Sequence, residues 1–174
     1  MLSYNRKDAL LETITRLQEE PTTREAELVV VDNASTDGSV QAVREGFGGV
    51  RLIALEENTL IEGFNIGVRA AKNDVVLILD DDARPDERSL REAMTALRDR
   101  PELGGATLQP RHPKTGEGEW PFADKLMGAT DQWPVMGCCN LIRREAWRAL
   151  GGYDARFGLY RNDVVLAMRI LAQG

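Results

Sequence analysis

The chain has 174 residues, 43% of them hydrophobic and 29% charged, a composition that fits one globular domain with a sizeable core. Its formal net charge of −6 argues against general nucleic-acid binding, because a phosphate backbone demands a basic face. The two cysteines, Cys138 and Cys139, are adjacent, a poor geometry for a disulfide and too few ligands for a structural zinc site.

In chain order, Leu10, Leu11, Ile14 and Leu17 fall at helical spacing over residues 6–20, and Pro21 closes that helix. Leu28 to Val31 is a β-branched run of the kind buried on both faces of a sheet, and it ends at Asp32. Asn33 to Ser39 carries turn chemistry, strongest at Asp37-Gly38, with a short helix expected to about Glu45. Val50 to Leu55 reads as a strand. Residues 60–72 read as a helix whose Gly63 and Gly67 share a face and permit a close approach. Val75 to Leu79 is the clearest buried strand and runs straight into Asp80-Asp81-Asp82; Leu90, Ala93, Met94 and Leu97 then mark an amphipathic helix.

Leu103 to Leu108 is a further candidate strand. Residues 110–134, with His112, Trp120 and Trp133, form a long polar loop that is either functional or mobile. Val135 to Ile142 reads as a strand and Arg144 starts a short helix in which Trp147 is expected in the core. Gly151 to Asp154 is a turn, and 163–172 an apolar helix. Strands alternating with helices predict an α/β domain with a mainly parallel central sheet flanked by helices. Only Met1-Leu2-Ser3 precedes the first turn, so the first strand is expected to be truncated. No secretory leader or membrane-spanning apolar run is recognisable, so a cytoplasmic protein is expected, with peripheral membrane association through a partner left open.

Ligands of open α/β sheets bind beyond the carboxyl ends of the strands. Two buried strands here end in acid, at Asp32 and at Asp80-Asp81-Asp82, and Ser3-Tyr4-Asn5 is a third candidate edge. Ionised carboxylates are hard ligands suited to Mg²⁺ or Mn²⁺, which would bridge the phosphates of a nucleotide. Strand alternation predicts Asp80 and Asp82 on one side and Asp81 on the other. The alternative is a solvated acidic loop that caps the next helix. Asp32 either closes its strand as a turn former or accepts a hydrogen bond from a nucleobase N–H. Asp163 is either a first-turn helix acid or a general base. His112 reads as a surface residue, Cys138-Cys139 as small buried hydrophobes, and Gly46, Gly48 and Gly49 lack the Gly-Lys-Ser/Thr of a phosphate loop.

Several strings together resemble the family 2 inverting glycosyltransferases, which have the GT-A fold of the nucleotide-diphospho-sugar transferases. They are Ser3-Tyr4-Asn5-Arg6, VVVDNASTDGS (29–39), EGFNIGVRAA (62–71), VVLILDDDARP (75–85), NLIRREAWRALGGYDARF (140–157) and YRNDVVLAMRILAQG (160–174). The likeness covers nearly the whole chain, in the family's order. It implies one glycosyltransferase domain over 1–174, with a nucleotide-binding half at about 1–100 and an acceptor-side half at about 101–174. It further implies that Ser3, Tyr4, Arg6 and Asp32 contact the nucleotide, Ser3 through its backbone. Asp80 and Asp81 would lie near the ribose and the metal shell, Asp82 with Asp80 would hold Mn²⁺ or Mg²⁺, and Asp163 would be the catalytic base.

The implied reaction moves a sugar, with inversion, from a nucleotide-diphospho-sugar to an acceptor hydroxyl on a glycan or a lipid-linked acceptor, as in polysaccharide biosynthesis. Two departures stand out: Asn162 replaces the family's usual glutamate before the closing helix, and Val165 replaces a later acid. The alternatives are a non-catalytic binding module of the same fold and a sugar nucleotidyltransferase, although the glycine-rich basic signature of the latter is not visible.

Overall fold

The structure, a computed structural model, describes residues 1–112, 115–118, 137–159 and 161–172. Within these residues the elements are β1 (Leu2–Ser3), α1 (Lys7–Glu19), β2 (Val29–Asp32), α2 (Ser39–Gly46), β3 (Arg51–Ala54), α3 (Glu62–Ala70) and β4 (Val75–Leu79). They continue with α4 (Glu87–Asp99), β5 (Gly105–Thr107), β6 (Cys139–Arg143), α5 (Arg144–Leu150) and α6 (Asn162–Leu171). A turn of 3₁₀ helix at Ala155–Phe157, which the sequence pattern does not signal, leads into α6.

The strands stand in the order β3-β2-β1-β4-β6-β5. β1, β2 and β3 pair in parallel, and a parallel bridge between Leu2 and Asp80 joins β1 to β4. β6 runs antiparallel between β4 and β5. The sheet is thus mainly parallel, as the alternation predicts, with β6 reversed. The expected strand over 135–142 is described from Cys139 onward, and residues 135–136 lie outside the described residues.

Alternate residues of β4 and β6 serve opposite faces, as the strand period requires. Ile78 and Ile142 pack with Phe64, Val68, Trp147, Leu150, Tyr153 and Leu166 beneath α3, α5 and α6. Leu79 and Cys139 meet Leu17 of α1, and Leu141 meets Leu90 and Leu97 of α4. Val30 of β2 packs with Leu10, Ile14 and Val43 from α1 and α2. Burial on both faces explains why these strands read as continuous apolar runs.

The glycine pair of α3 does what its spacing suggests. A Cβ on Gly63 would collide with the Leu2 side chain, and one on Gly67 would lie 3.2 Å from Val31, so α3 lies directly on β1 and β2. β1 is short, as expected, and its two residues bring Leu2 and Ser3 to the centre of the sheet. Below it, between β2 and β4, lies an apolar cavity of about 220 Å³ lined in part by Met1, Val29, Gly63, Phe64, Val76 and Ile78. Among the described residues no helix is long and apolar enough to cross a membrane.

The turn after α5 is packed tightly. Gly151 and Gly152 both adopt positive φ, at 80° and 66°. Tyr153 is buried against Trp147 and Phe64 in edge-on contacts, with ring centroids 4.8 and 5.8 Å away. The Asn65 amide clamps the turn, donating to Tyr153 O at 2.8 Å and accepting from Tyr153 N at 3.0 Å. A Cβ on Gly152 would fall 2.6 Å from the Trp147 indole nitrogen. Gly152→Ala is therefore expected to destabilise the fold by roughly 2–5 kcal/mol, from left-handed strain plus overpacking, measured by urea denaturation.

Candidate functional site

The carboxyl ends of β1, β2 and β4 open on one rim of the sheet, where doubly wound folds hold ligands. Tyr4, Asn5 and Arg6 leave β1, Asp32 and Asn33 end β2, and Asp80 to Asp82 follow β4. The backbone around this region is strained. Asn5, Ala34, Leu60 and Arg161 hold φ of 53°, 66°, 53° and 62°, a conformation L-residues avoid. Two hydrogen bonds stitch the exits of β1 and β2 together: Asn5 N donates to Ser35 Oγ at 2.9 Å, and Thr36 N donates to Asn5 Oδ1 at 2.7 Å.

Asp32 is 1% exposed. Its Oδ1 accepts from Ser35 N at 2.8 Å, which is the turn-closing role. Its Oδ2 is also buried and has no partner. A buried acceptor without a donor is costly, and a ligand N–H is the kind of group that relieves it. Both readings of Asp32 therefore have a physical counterpart, one on each oxygen. Tyr4, 48% exposed, stands beside this exit with its ring accessible.

The three aspartates follow directly on the end of the strand. β4 ends at Leu79, and the chain turns through Asp81 and Asp82. Asp81 and Asp82 share a partner. Arg6 Nη2 lies 2.7 Å from Asp82 Oδ2, and Arg6 Nη1 lies 3.4 Å from Asp81 Oδ1. Asp81 is 4% exposed and accepts from Ser3 Oγ at 2.8 Å, while Thr13 Oγ1 donates to its backbone oxygen at 2.7 Å. Asp80 is half-buried at the bridge to Leu2, and its N–H donates to Cys138 O.

Crowding leaves its mark on the protonation of these groups. Burial, then the charges of Asp82 and Asp81, push Asp80 up to about 6. Burial also raises Asp81, against the pull of the Ser3 hydroxyl and Arg6. Arg6 is held more firmly protonated, first by its hydrogen bond to Asp82.

Ser3 lies at the centre of the rim. Its side chain is buried and committed to Asp81, and its carbonyl accepts from Asn33 N at 2.8 Å. Asp163 lies in the first turn of α6, and a Cβ on Gly137 would stand 3.8 Å from its Oδ2. Gly137 adjoins Cys138, whose carbonyl meets Asp80 N, so Asp163 comes in from the β6 side of the same rim. The buried Tyr153 phenol senses both groups: burial raises its pKa first, then the charges of Asp163 and Asp80. Asn162 is buried, donates to Gly158 O at 2.6 Å and has an unpartnered Oδ1.

Among the described residues no three or more His, Cys, Asp or Glu side chains converge as a metal cage. The donors present suit another kind of site, in which Mg²⁺ or Mn²⁺ is held by one or two carboxylates and completed by phosphate oxygens and water. The Arg6 guanidinium is a stand-in cation there, marking where Asp81 and Asp82 favour positive charge.

Buried polar residues also frame the rim, and the sequence reading singled out neither Thr13 nor Asn65. Thr13 sits on the apolar stripe of α1 and Asn65 on the buried face of α3, and a polar residue in such a stripe is the signal for both. Asn33 pins the segment before α3, donating to Leu60 O at 3.0 Å and accepting from Thr59 N at 2.9 Å. His112 is exposed, Cys139 is buried with its thiol pushed up to about 12, and Trp147 is in the core. Trp120 and Trp133, with most of the 110–134 loop, lie outside the described residues.

Order and geometry agree with a comparison of families: the Glycosyl transferase family 2 description matches residues 1–165. The chain belongs to that family. Among curated relatives of this glycosyltransferase-family chain, the O-antigen biosynthesis protein RfbC of Myxococcus xanthus is 27% identical over 177 residues, which cover 85% of this chain and 14% of that protein. Among solved structures, the mannosyltransferase PcManGT from Pyrobaculum calidifontis, in complex with GDP-Man and Mn²⁺, superposes with a TM-score of 0.69 at 29% identity, covering 88% of this chain and 46% of that one. TarS 1-349 of S. aureus superposes with a TM-score of 0.73 at 18% identity, over 97% of this chain and 52% of that one, a likeness of fold. The chain thus spans about half the length of these solved structures and a seventh of the curated relative.

The Ser3–Asp81 contact is open to a direct test. Ser3→Ala removes a donor from a buried carboxylate and is expected to lower stability by about 1.5–3 kcal/mol at neutral pH in urea denaturation. The deficit should shrink in acid, where Asp81 takes up a proton and the hydroxyl no longer meets a charge.

Proposed function

We propose that this chain carries the donor-binding and catalytic machinery of a glycosyltransferase that moves a sugar from a nucleotide-diphospho-sugar to an acceptor hydroxyl, with inversion and with Mn²⁺ or Mg²⁺. The observation that carries the reading is the convergence on one rim of three segments distant in sequence, with an unpartnered buried oxygen on Asp32 and a guanidinium bound to Asp81 and Asp82. Membership of glycosyl transferase family 2 supports it, as does the likeness to a mannosyltransferase solved with GDP-Man and Mn²⁺. The likeness to an O-antigen biosynthesis protein supports an acceptor that is a glycan.

In this mechanism Asp32 Oδ2 accepts the N–H of the base, and the exposed Tyr4 ring packs on it. Asp82, with Asp80, would hold the cation, and Asp81 keeps the turn in place through Ser3 and Thr13. When bound, the cation supplies Lewis-acid neutralisation of the departing diphosphate. Asp163 takes the proton of the acceptor hydroxyl as the new C–O bond forms on the face opposite the diphosphate. The electron pair of the breaking anomeric C–O bond leaves with the nucleotide.

Two outcomes test the reading. Asp163→Asn is expected to lower transfer by about 10²- to 10⁴-fold in a donor-turnover assay while donor binding by calorimetry stays intact. Transfer at the parent rate would assign the base elsewhere. Mn²⁺ affinity measured with UDP or GDP present should fall as pH drops through about 6, because Asp80 is ionised above that value and protonated below it. Asp80→Asn should flatten that dependence, and Asp82→Ala should abolish the effect of Mn²⁺ on nucleotide binding.

A further inference from the structure

We infer that Arg6 is a displaceable counter-ion whose guanidinium competes with the divalent cation for Asp82 and moves onto the donor's diphosphate when that cation binds, so that cation and diphosphate bind cooperatively. The inference rests on the donor site proposed above and adds to it a coupling carried by one side chain.

The contacts already mark Arg6 as a competitor. Its two terminal nitrogens face Asp82 Oδ2 at 2.7 Å and Asp81 Oδ1 at 3.4 Å, on the same carboxylate cluster assigned to the metal. A cation arriving alone must displace a charge-assisted hydrogen bond, which is among the stronger polar contacts in a protein. A diphosphate arriving alone meets three carboxylates offset by one guanidinium, a field of its own sign. Arriving together, the two ligands solve both problems. The cation takes over the carboxylates, and the freed guanidinium meets phosphate oxygens, which its planar fork suits.

The surroundings allow the side chain to move without disturbing the fold. The Arg6 side chain is 51% exposed, so its swing opens no core. Its backbone is anchored on either side: Asn5 is tied to Ser35 and Thr36, and Lys7 N donates to Asp37 Oδ2 at 2.8 Å. Motion is thereby confined to the side chain. Asp81, the buried member of the pair, keeps its hydrogen bond from Ser3 when Arg6 leaves, so it is never stranded without a donor.

The test is a Mn²⁺ titration, with free Mn²⁺ read by electron paramagnetic resonance, on the parent chain and on Arg6→Gln, each with and without saturating UDP or GDP. The parent should bind Mn²⁺ weakly alone and about tenfold more tightly with the fitting diphosphate, and by reciprocity Mn²⁺ should tighten that diphosphate equally. Arg6→Gln should bind Mn²⁺ alone about tenfold more tightly than the parent, and the diphosphate should then add less than about threefold. Arg6→Lys keeps the charge without the fork and should fall between the two; it carries the test if circular dichroism shows Arg6→Gln unfolded.

Equal Mn²⁺ affinity and equal coupling in the parent and Arg6→Gln would overturn the counter-ion role while leaving the metal site standing. Weaker Mn²⁺ binding by folded Arg6→Gln would also overturn it, making Arg6 an organiser of the carboxylates rather than their competitor. Failure of the parent to bind Mn²⁺ with either diphosphate would remove the metal reading and the counter-ion with it.

Discussion

Three consecutive carboxylates beyond a buried strand repel one another, and the rim is built around managing that repulsion. Ser3 from β1 and Thr13 from α1 hold Asp81, the first through its side chain and the second through its carbonyl. Arg6 spans Asp81 and Asp82 from the exposed side. Asp80 makes no such hydrogen bond, and burial first, then the charges of Asp82 and Asp81, raise its pKa to about 6. Each compensating group comes from the first 13 residues of the chain, so the short β1 and the start of α1 serve as much to hold the acidic turn as to extend the sheet.

This arrangement gives the short β1 its importance. β2 and β4 flank its residues: Leu2 bridges to Asp80 and packs against Gly63 of α3, while Ser3 pairs with Asp32. The same two residues therefore align Asp32 and the acidic turn. The strained exits at Asn5 and Ala34 bring the loops after β1 and β2 close enough to bond one another. Strain of this sort persists only where the surroundings over-determine the backbone, and here side-chain hydrogen bonds do so.

The end of the rim near Asp163 rests on a second buried network. Asn65 in α3 clamps Tyr153, Tyr153 packs on Trp147, and its hydroxyl bonds the Asn140 side chain on β6. Asp163 and Asp80 both bear on that phenol, so the packing of the Gly151–Asp154 turn relates Asp163 to the acidic turn. Asn162 at the start of α6 donates to Gly158, which ties the 3₁₀ turn to the helix that carries Asp163.

Element order and the apolar faces were legible from sequence because hydrophobic period reports burial directly. Val75 to Leu79, flanked by helices on both faces, reads as one unbroken apolar run, and Gly63 and Gly67 announce the close approach of α3. The ordered motifs also located Asp32, the aspartate run and Asp163, since residues at strand ends and helix starts are fixed by the elements they border. The direction of β6 needed the tertiary structure, because an antiparallel and a parallel partner of β4 carry the same apolar pattern. So did the sharing of Arg6 between Asp81 and Asp82, which depends on how the start of the chain meets the turn after β4. The commitment of Ser3 to a carboxylate 78 positions away depends on which strands become neighbours, and no local pattern encodes that.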